Sequence, residues 1–280
     1  MKLSSKALAC GQSPMRKFHP YAVAAAAAGK KIYHLNIGQP DIHTPDALYD
    51  AIHNFRTPVL AYAASPGIPE LISAIEGYYR NIGVQLSESD ILVTTGGSEA
   101  LQIAANCLLD DGDEVIVPGY TFIASIATIA MMNAIPVLAE IDESLTIDPT
   151  KIEALITPKT KAIMPVHMLG NPCDMDPIME IAKKHNLYVI EDCCQAVGAA
   201  YHGKRVGTIG DMGAYSLNVF KTITTGDGGF VGTSSDELYE RAFGFHDQGH
   251  KPCRMGVEVG NRSMVGMNMR MNELSGAVAV

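Results

Sequence analysis

Glu191-Asp192-Cys193-Cys194-Gln195-Ala196 closes the apolar run Leu187 to Ile190, and Lys221 stands in the loop Leu217-Asn218-Val219-Phe220-Lys221-Thr222-Ile223-Thr224-Thr225-Gly226 that follows the run Gly213 to Leu217. Both runs have the length and apolar content of buried strands. The first therefore ends on a carboxylate, and the second opens into a Thr/Gly-rich loop carrying a lone lysine. Outward from this pair the same alternation continues. Ile91 to Thr94, Glu114 to Val117, Pro136 to Ala139 and Lys161 to Val166 read as further strands. Between them, Ser98 to Leu109 and Ile123 to Met132 have helical periodicity, and Ala100, Leu101, Ala104 and Leu108 share one face. Asp176 is expected to cap another helix with Pro177 at its first position. Strand–helix alternation of this kind predicts an α/β fold, a mostly parallel sheet flanked by helices on both faces.

Composition narrows the function classes. The chain has 280 residues, 47% of them hydrophobic, enough for one large core. Its 30 acidic against 21 basic residues give a net charge of -9, which disfavours a nucleic-acid partner. The N-terminus lacks an apolar run of signal-peptide or membrane-helix length, and the Ala-rich run Val23 to Ala28 reads as a short helix, so no membrane partner is expected. Six cysteines, two of them adjacent, do not make a secreted disulfide framework in a chain of this size, and the expectation is a reduced, cytoplasmic enzyme. No metal site is expected, and Cys193 and Cys194 read as small buried hydrophobes.

A carboxylate able to pair with a pyridinium nitrogen and a lysine able to form a Schiff base are the two protein groups that pyridoxal 5'-phosphate requires. Asp192 and Lys221 are the candidates for these catalytic roles. Each has a plainer reading: Asp192 as a solvent-facing strand end or turn cap, Lys221 as a solvated surface amine. In Thr94-Thr95-Gly96-Gly97-Ser98-Glu99, a strand, a glycine turn and a helix start follow one another. Free N–H groups of a first helical turn hold anions, and glycines let a ligand approach the backbone closely. Ser98 also reads as an ordinary N-cap, and Phe122, just after a strand, as ordinary core.

In this order the motifs resemble the DegT/StrS family of sugar aminotransferases, pyridoxal-phosphate enzymes of fold type I. The residues carrying the resemblance are Pro165-Val166-His167-Met168-Leu169-Gly170, Glu191-Asp192, Ser216, Lys221 and Thr224-Thr225-Gly226-Asp227-Gly228-Gly229, with Asp227 where the family signature has Glu. The resemblance implies that Gly97 and Ser98 form part of a phosphate cup, that Phe122 stacks on the pyridine ring, that Gln195 lies near the phenolic oxygen, and that Ser216 binds the phosphate. It implies the same of Asn268, in Gly266-Met267-Asn268-Met269-Arg270, toward the phosphate of a neighbouring subunit; the residue also reads as a plain polar side chain at a loop–helix junction. A lysine rather than a histidine at position 221 favours transamination over dehydration.

The first part of the chain resembles instead the class I/II amino-acid aminotransferases, on Asn36-Ile37-Gly38-Gln39-Pro40-Asp41 and Tyr62-Ala63-Ala64-Ser65-Pro66-Gly67. That likeness implies Gly38 beside the substrate carboxylate and Tyr62 reaching the partner's cofactor phosphate. Together these expectations describe an arm over residues 1–45 and a fold-type-I large domain over 46–280, truncated at its C-terminal end with the small domain missing. They describe a homodimer with shared active sites that moves an amino group from glutamate or a similar donor to a nucleotide-linked keto sugar. The alternatives are an amino-acid aminotransferase acting on 2-oxo acids and a non-catalytic, truncated or chimeric pyridoxal-phosphate-binding protein.

Overall fold

In the computed structural model, residues 4–9, 16–34, 42–252 and 264–280 are described. The chain divides into two compact units, Met1–His43 and Thr44–Val280. The first holds helices α1 (Ser5–Leu8) and α2 (His19–Ala27), the latter containing the Ala-rich run and started by a proline in its first turn. The second opens with α3 (Asp46–Asn54) and α4 (Pro69–Asn81), then β1 (Ile91–Thr94), α5 (Gly97–Leu108), β2 (Glu114–Pro118), α6 (Ile123–Met131) and β3 (Ile135–Ala139). It continues through α7 (Pro149–Ile152), β4 (Thr160–Ile163), α8 (Met175–His185) and β5 (Tyr188–Asp192). The hairpin β6 (Ala200–Tyr201) and β7 (Lys204–Arg205), then β8 (Met212–Ser216), β9 (Gly229–Gly232), α9 (Asp236–His246) and α10 (Glu273–Ala279) complete it.

Seven strands form one sheet in the order β1-β9-β8-β5-β4-β2-β3. Strands β3, β2, β4, β5 and β8 pair in parallel, whereas β9 is antiparallel to both β8 and β1. Sequence periodicity did not place β9, because Gly229-Phe230-Val231-Gly232 has only two apolar residues between glycines. Its pairing with two buried neighbours supplies what local propensity lacks. Two expected boundaries also move. β4 stops at Ile163, since Pro165 has no N–H to continue the ladder. The N-cap of α8 is Asp174, not Asp176, and the Asp174 carboxylate accepts from the Tyr201 hydroxyl instead of capping the helix.

Side chains alternate across each strand and both faces are covered. Leu92, Val115, Val117, Ile190, Ala214 and Val231 pack under α5 and α9, where Leu101, Ile103, Ala104 and Phe243 are buried. Ile91, Val93, Tyr215 and Phe230 face α4 on the opposite side, and Ile116, Ile163 and Val189 face α8 there. Tyr215 stacks on Phe230 with centroids 4.2 Å apart, and Tyr79 of α4 meets both edge-on.

The parallel strands and β1 all point their carboxyl ends to one edge, the edge at which open α/β sheets carry their sites. β1 is held there by α9. The His246 ring Nε2 lies 2.8 Å from the Val93 carbonyl oxygen, so the proton sits on Nε2. Burial lowers the His246 pKa from 6.5 to about 4. The unfolded chain therefore takes up a proton that the folded one refuses. The associated stability is complete above about pH 6.5 and falls as the pH drops toward about 4, by a total on the order of 3 kcal/mol. Urea unfolding at pH 7.5 and pH 4.5 should show wild type losing more stability than His246→Gln, which does not titrate; equal losses would exclude His246 as the acid-sensitive link.

Candidate active site

The carboxyl edge of the sheet gathers most of the residues singled out in the sequence. Asp192 ends β5 and is 4% exposed, so it is not a solvent-facing strand end. One carboxylate oxygen accepts from the Ser125 hydroxyl at 2.7 Å and the other from the Cys194 N–H at 3.1 Å. Both donors are neutral and occupy only part of the acceptor capacity of a carboxylate, leaving lone pairs for a further donor.

Beside it, the glycine turn after β1 comes very close to the end of β8. A Cβ built on Gly97 would lie 2.7 Å from Ser216 Cβ and 2.9 Å from Cys194 Sγ, so only glycine lets these segments touch. Gly229 of β9 presses on the same turn, where an added Cβ would fall 2.7 Å from the Gly97 nitrogen. Helix α5 starts at Gly97 with Gly96 as its N-cap, which places Ser98 inside the first turn, exposed, and rules it out as the cap. The Glu99 carboxylate takes the Thr95 N–H at 2.9 Å. The first-turn N–H groups of Gly97, Ser98 and Glu99 have no intrahelical acceptor and carry the positive end of the helix dipole.

Ser216 is buried and its hydroxyl accepts from Asn218 N–H. The loop after it is braced from within: Leu217 N–H donates to Gly228, Thr225 N–H to Leu217, and the Asn218 amide to the Asp227 carboxylate at 2.7 Å. Lys221 rides on this loop half-buried, directly after exposed Val219 and Phe220. Burial and the Asp192 charge push the Cys194 thiol well above its ordinary pKa, opposed by the charge of Lys221, so the thiol is neutral. Gln195 accepts from Leu169 N–H through Oε1 at 2.9 Å, which leaves its amide hydrogens free to donate. Phe122 is the N-cap of α6 and 57% exposed, not core.

Other expected residues lie elsewhere. Tyr62, 91% exposed, and Asn268 line a recess with Arg270, whose guanidinium lies 5.9 Å from the Tyr62 ring centroid and bonds to buried Asp247. No hydrogen bond or ring contact among the described residues joins Tyr62 or Asn268 to Asp192, Ser216 or Lys221. Gly38 lies outside the described residues.

Three residues at this edge were given no role in the sequence reading. Ser125 is the first. Glu191 and His167 are the others, both with no solvent exposure. Glu191 accepts from Gly207, Ile209 and Gly210 N–H at 2.7, 2.8 and 2.6 Å, and from His167 Nε2 at 3.1 Å. The His167 Nδ1 accepts from Cys173 N–H, which fixes the proton on Nε2. His167, Glu191 and Cys193 lie within 4.8 Å of one another, a spacing a metal ion could use. However, donors surround the carboxylate, and burial holds the Cys193 thiol well above its ordinary pKa, so the cluster is a hydrogen-bonded brace. An apolar sequence neighbourhood gives no hint of this, because the donors are backbone groups of a distant loop.

A glycine turn, a strand-end carboxylate and a loop lysine at the carboxyl edge of a mixed sheet define the fold of the pyridoxal-phosphate-dependent aminotransferases. Residues 81–280 match the DegT/DnrJ/EryC1/StrS aminotransferase family, and the chain belongs to it. It is 44% identical to GDP-perosamine synthase of Caulobacter vibrioides over 191 residues, 68% of this chain and 50% of that protein. The solved aminotransferase from Psychrobacter cryohalolentis superposes with a TM-score of 0.73 at 35% identity, covering 86% of this chain and 62% of the other. NtdA from Bacillus subtilis, solved with bound cofactor PMP, does so with a TM-score of 0.70 at 29% identity, over 87% and 55%. The chain thus spans about half the length of the curated relative it matches. The separate likeness of the first part to class I/II aminotransferases is not supported, since the match to the Psychrobacter enzyme covers more of the chain than residues 81–280 and so reaches before them. Among the described residues no helix is long and apolar enough to cross a membrane.

The brace makes a direct prediction. Glu191→Ala leaves one buried and two partly buried backbone N–H groups and one imidazole without their acceptor and should cost upward of roughly 3 kcal/mol. Denaturant unfolding of the variant measures this; a loss under about 1 kcal/mol would mean that water replaces the carboxylate.

Proposed function

We propose that this chain is the cofactor-binding part of a pyridoxal-phosphate-dependent aminotransferase acting on a nucleotide-linked keto sugar, with glutamate or a similar amino acid as donor. The observation that carries the reading is the buried Asp192 carboxylate, held by two neutral donors with acceptor capacity left over, next to the Gly97–Ser216 contact. That donor set fits the cofactor. The first-turn N–H groups of α5 and the Ser216 hydroxyl would hold the phosphate, where the helix dipole favours an anion. Asp192 would accept the pyridine N–H, Phe122 would cover one ring face, and the free Gln195 amide would donate to the phenolic oxygen.

When bound, pyridoxal phosphate supplies an electron sink for a substrate carbon that loses its proton. The chain's own residues do the rest. Asp192 would favour the protonated ring nitrogen by its negative charge. The Lys221 amine would hold the cofactor and would carry the proton to and from the substrate carbon at its Nζ. The relative GDP-perosamine synthase, a nucleotide-sugar enzyme by name, supports the acceptor class.

We also propose a homodimer with shared sites. Tyr62 and Asn268 line one recess separate from Asp192, as expected if they serve a partner's phosphate, and Phe122, Ile123, Val219 and Phe220 leave apolar surface exposed near the site. The free thiols Cys107, Cys173, Cys193 and Cys194 suit a reducing compartment, and we place the protein in the cytoplasm.

Borohydride reduction of the cofactor-loaded protein, followed by peptide mapping, should put the pyridoxyl group on Lys221; a label on another lysine would sink the assignment. Asp192→Ala should still load cofactor yet slow proton removal from a donor amino acid by roughly a hundredfold or more. Solvent-deuterium exchange at the donor's α-carbon reads this, and a rate within a few-fold of wild type would remove Asp192 from the chemistry.

A further inference from the structure

Besides the Cys194 N–H, the groups that aim Asp192 lie at the start of α6 and just before it. Ser125 has no solvent exposure, and its Oγ lies 2.7 Å from Asp192 Oδ2. A carboxylate only accepts, so the single hydroxyl hydrogen of Ser125 points at Asp192. The Ser125 Oγ is also 2.8 Å from the Thr121 Oγ1, half-buried at the mouth of the helix. With the Ser125 hydrogen already committed, Thr121 must be the donor of that second bond. The order is therefore directional, from Thr121 to Ser125 to Asp192, and each link strengthens the next. The backbone adds to it, because Ser125 N–H bonds to the Phe122 carbonyl at 3.2 Å. One short segment thus presents Phe122 and fixes the Asp192 carboxylate.

We propose that Ser125, backed by Thr121, is a positioning residue that sets the orientation of the Asp192 carboxylate toward the cofactor ring; the inference rests on the pyridoxal-phosphate reading of the site. The titratable groups around Asp192 are Cys193 and Cys194 on its own loop, His167 whose N–H bonds to the Asp192 carbonyl, and Lys221 whose charge reaches Cys194. None of them lies on α6, so changes at Ser125 and Thr121 leave those charges in place.

The test is a pH titration of the absorbance of bound pyridoxal phosphate in the 280-residue chain, for wild type, Ser125→Ala, Ser125→Thr and Thr121→Val. Without the Ser125 donor the Asp192 carboxylate holds the ring N–H less well, so the acid limb of the cofactor absorbance should move to higher pH in Ser125→Ala. Cofactor affinity should fall by roughly tenfold, the size of one hydrogen bond to a charged group. Ser125→Thr keeps the hydroxyl and should return the limb to its wild-type position. Thr121→Val should move it the same way as Ser125→Ala, but less. A loss of packing alone would lower affinity without moving the acid limb, and an unmoved limb in Ser125→Ala overturns the proposal. If that variant does not fold, Thr121→Val decides: an upward shift upholds the relay and an unchanged limb overturns it. Wild-type protein that develops no visible band with pyridoxal phosphate would instead refute the function on which the relay rests.

Discussion

Glu191 is buried without solvent contact, and its two oxygens collect three backbone N–H groups and the His167 ring. A bare carboxylate in that position would be untenable; surrounded by donors, it becomes the point at which β5, the segment after β4 and the loop before β8 are tied together. The carboxyl edge inherits its geometry from this knot. Side chains alternate along a strand, so the neighbouring Asp192 points the other way, toward α6, and has donors of its own. Two consecutive acids can share the core because each has a separate set of hydrogen bonds on a separate face.

The glycine contacts impose the complementary constraint. Gly97, Ser216, Cys194 and Gly229 are packed so closely that no Cβ fits at either glycine. That closeness brings the start of α5, with its unpartnered N–H groups, against the end of β8. A helix dipole acts over little more than one turn, so its use as an anion site depends on this packing. The small, neutral Cys194 thiol fills the remaining space without adding a charge.

Some interactions that look catalytic prove to be structural, and a residue that looks like core can stand exposed. The His167–Glu191–Cys193 group has metal-site spacing but the chemistry of a brace. Phe122 looks like a core residue in the sequence yet stands exposed at the N-cap of α6. Arg270 lies by Tyr62 and is neutralised by Asp247, which in turn accepts from Ser65 at 2.7 Å, so the recess beside Asn268 is built on a buried ion pair.

Periodicity in the sequence was enough to locate β1, α5, β2, α6, β5 and β8, because those segments are buried on one helical face or through most of a strand, and burial is what hydrophobic pattern encodes; the edge strand β3 showed as an apolar run although Ile135 and Leu138 are exposed. Asp192 and Lys221 were legible for a related reason: a carboxylate at the end of one apolar strand and a lone lysine in the loop after another stand out locally. The tertiary structure alone decided the antiparallel β9, whose two apolar residues form a strand only between β1 and β8. It alone decided that Asp174 serves Tyr201 rather than capping α8, that Glu191 is tied to a loop some residues ahead, and that Ser125 reaches Asp192. Hydrogen bonds between groups far apart along the chain leave no periodic trace, since any polar residue can make them and only packing selects which one does.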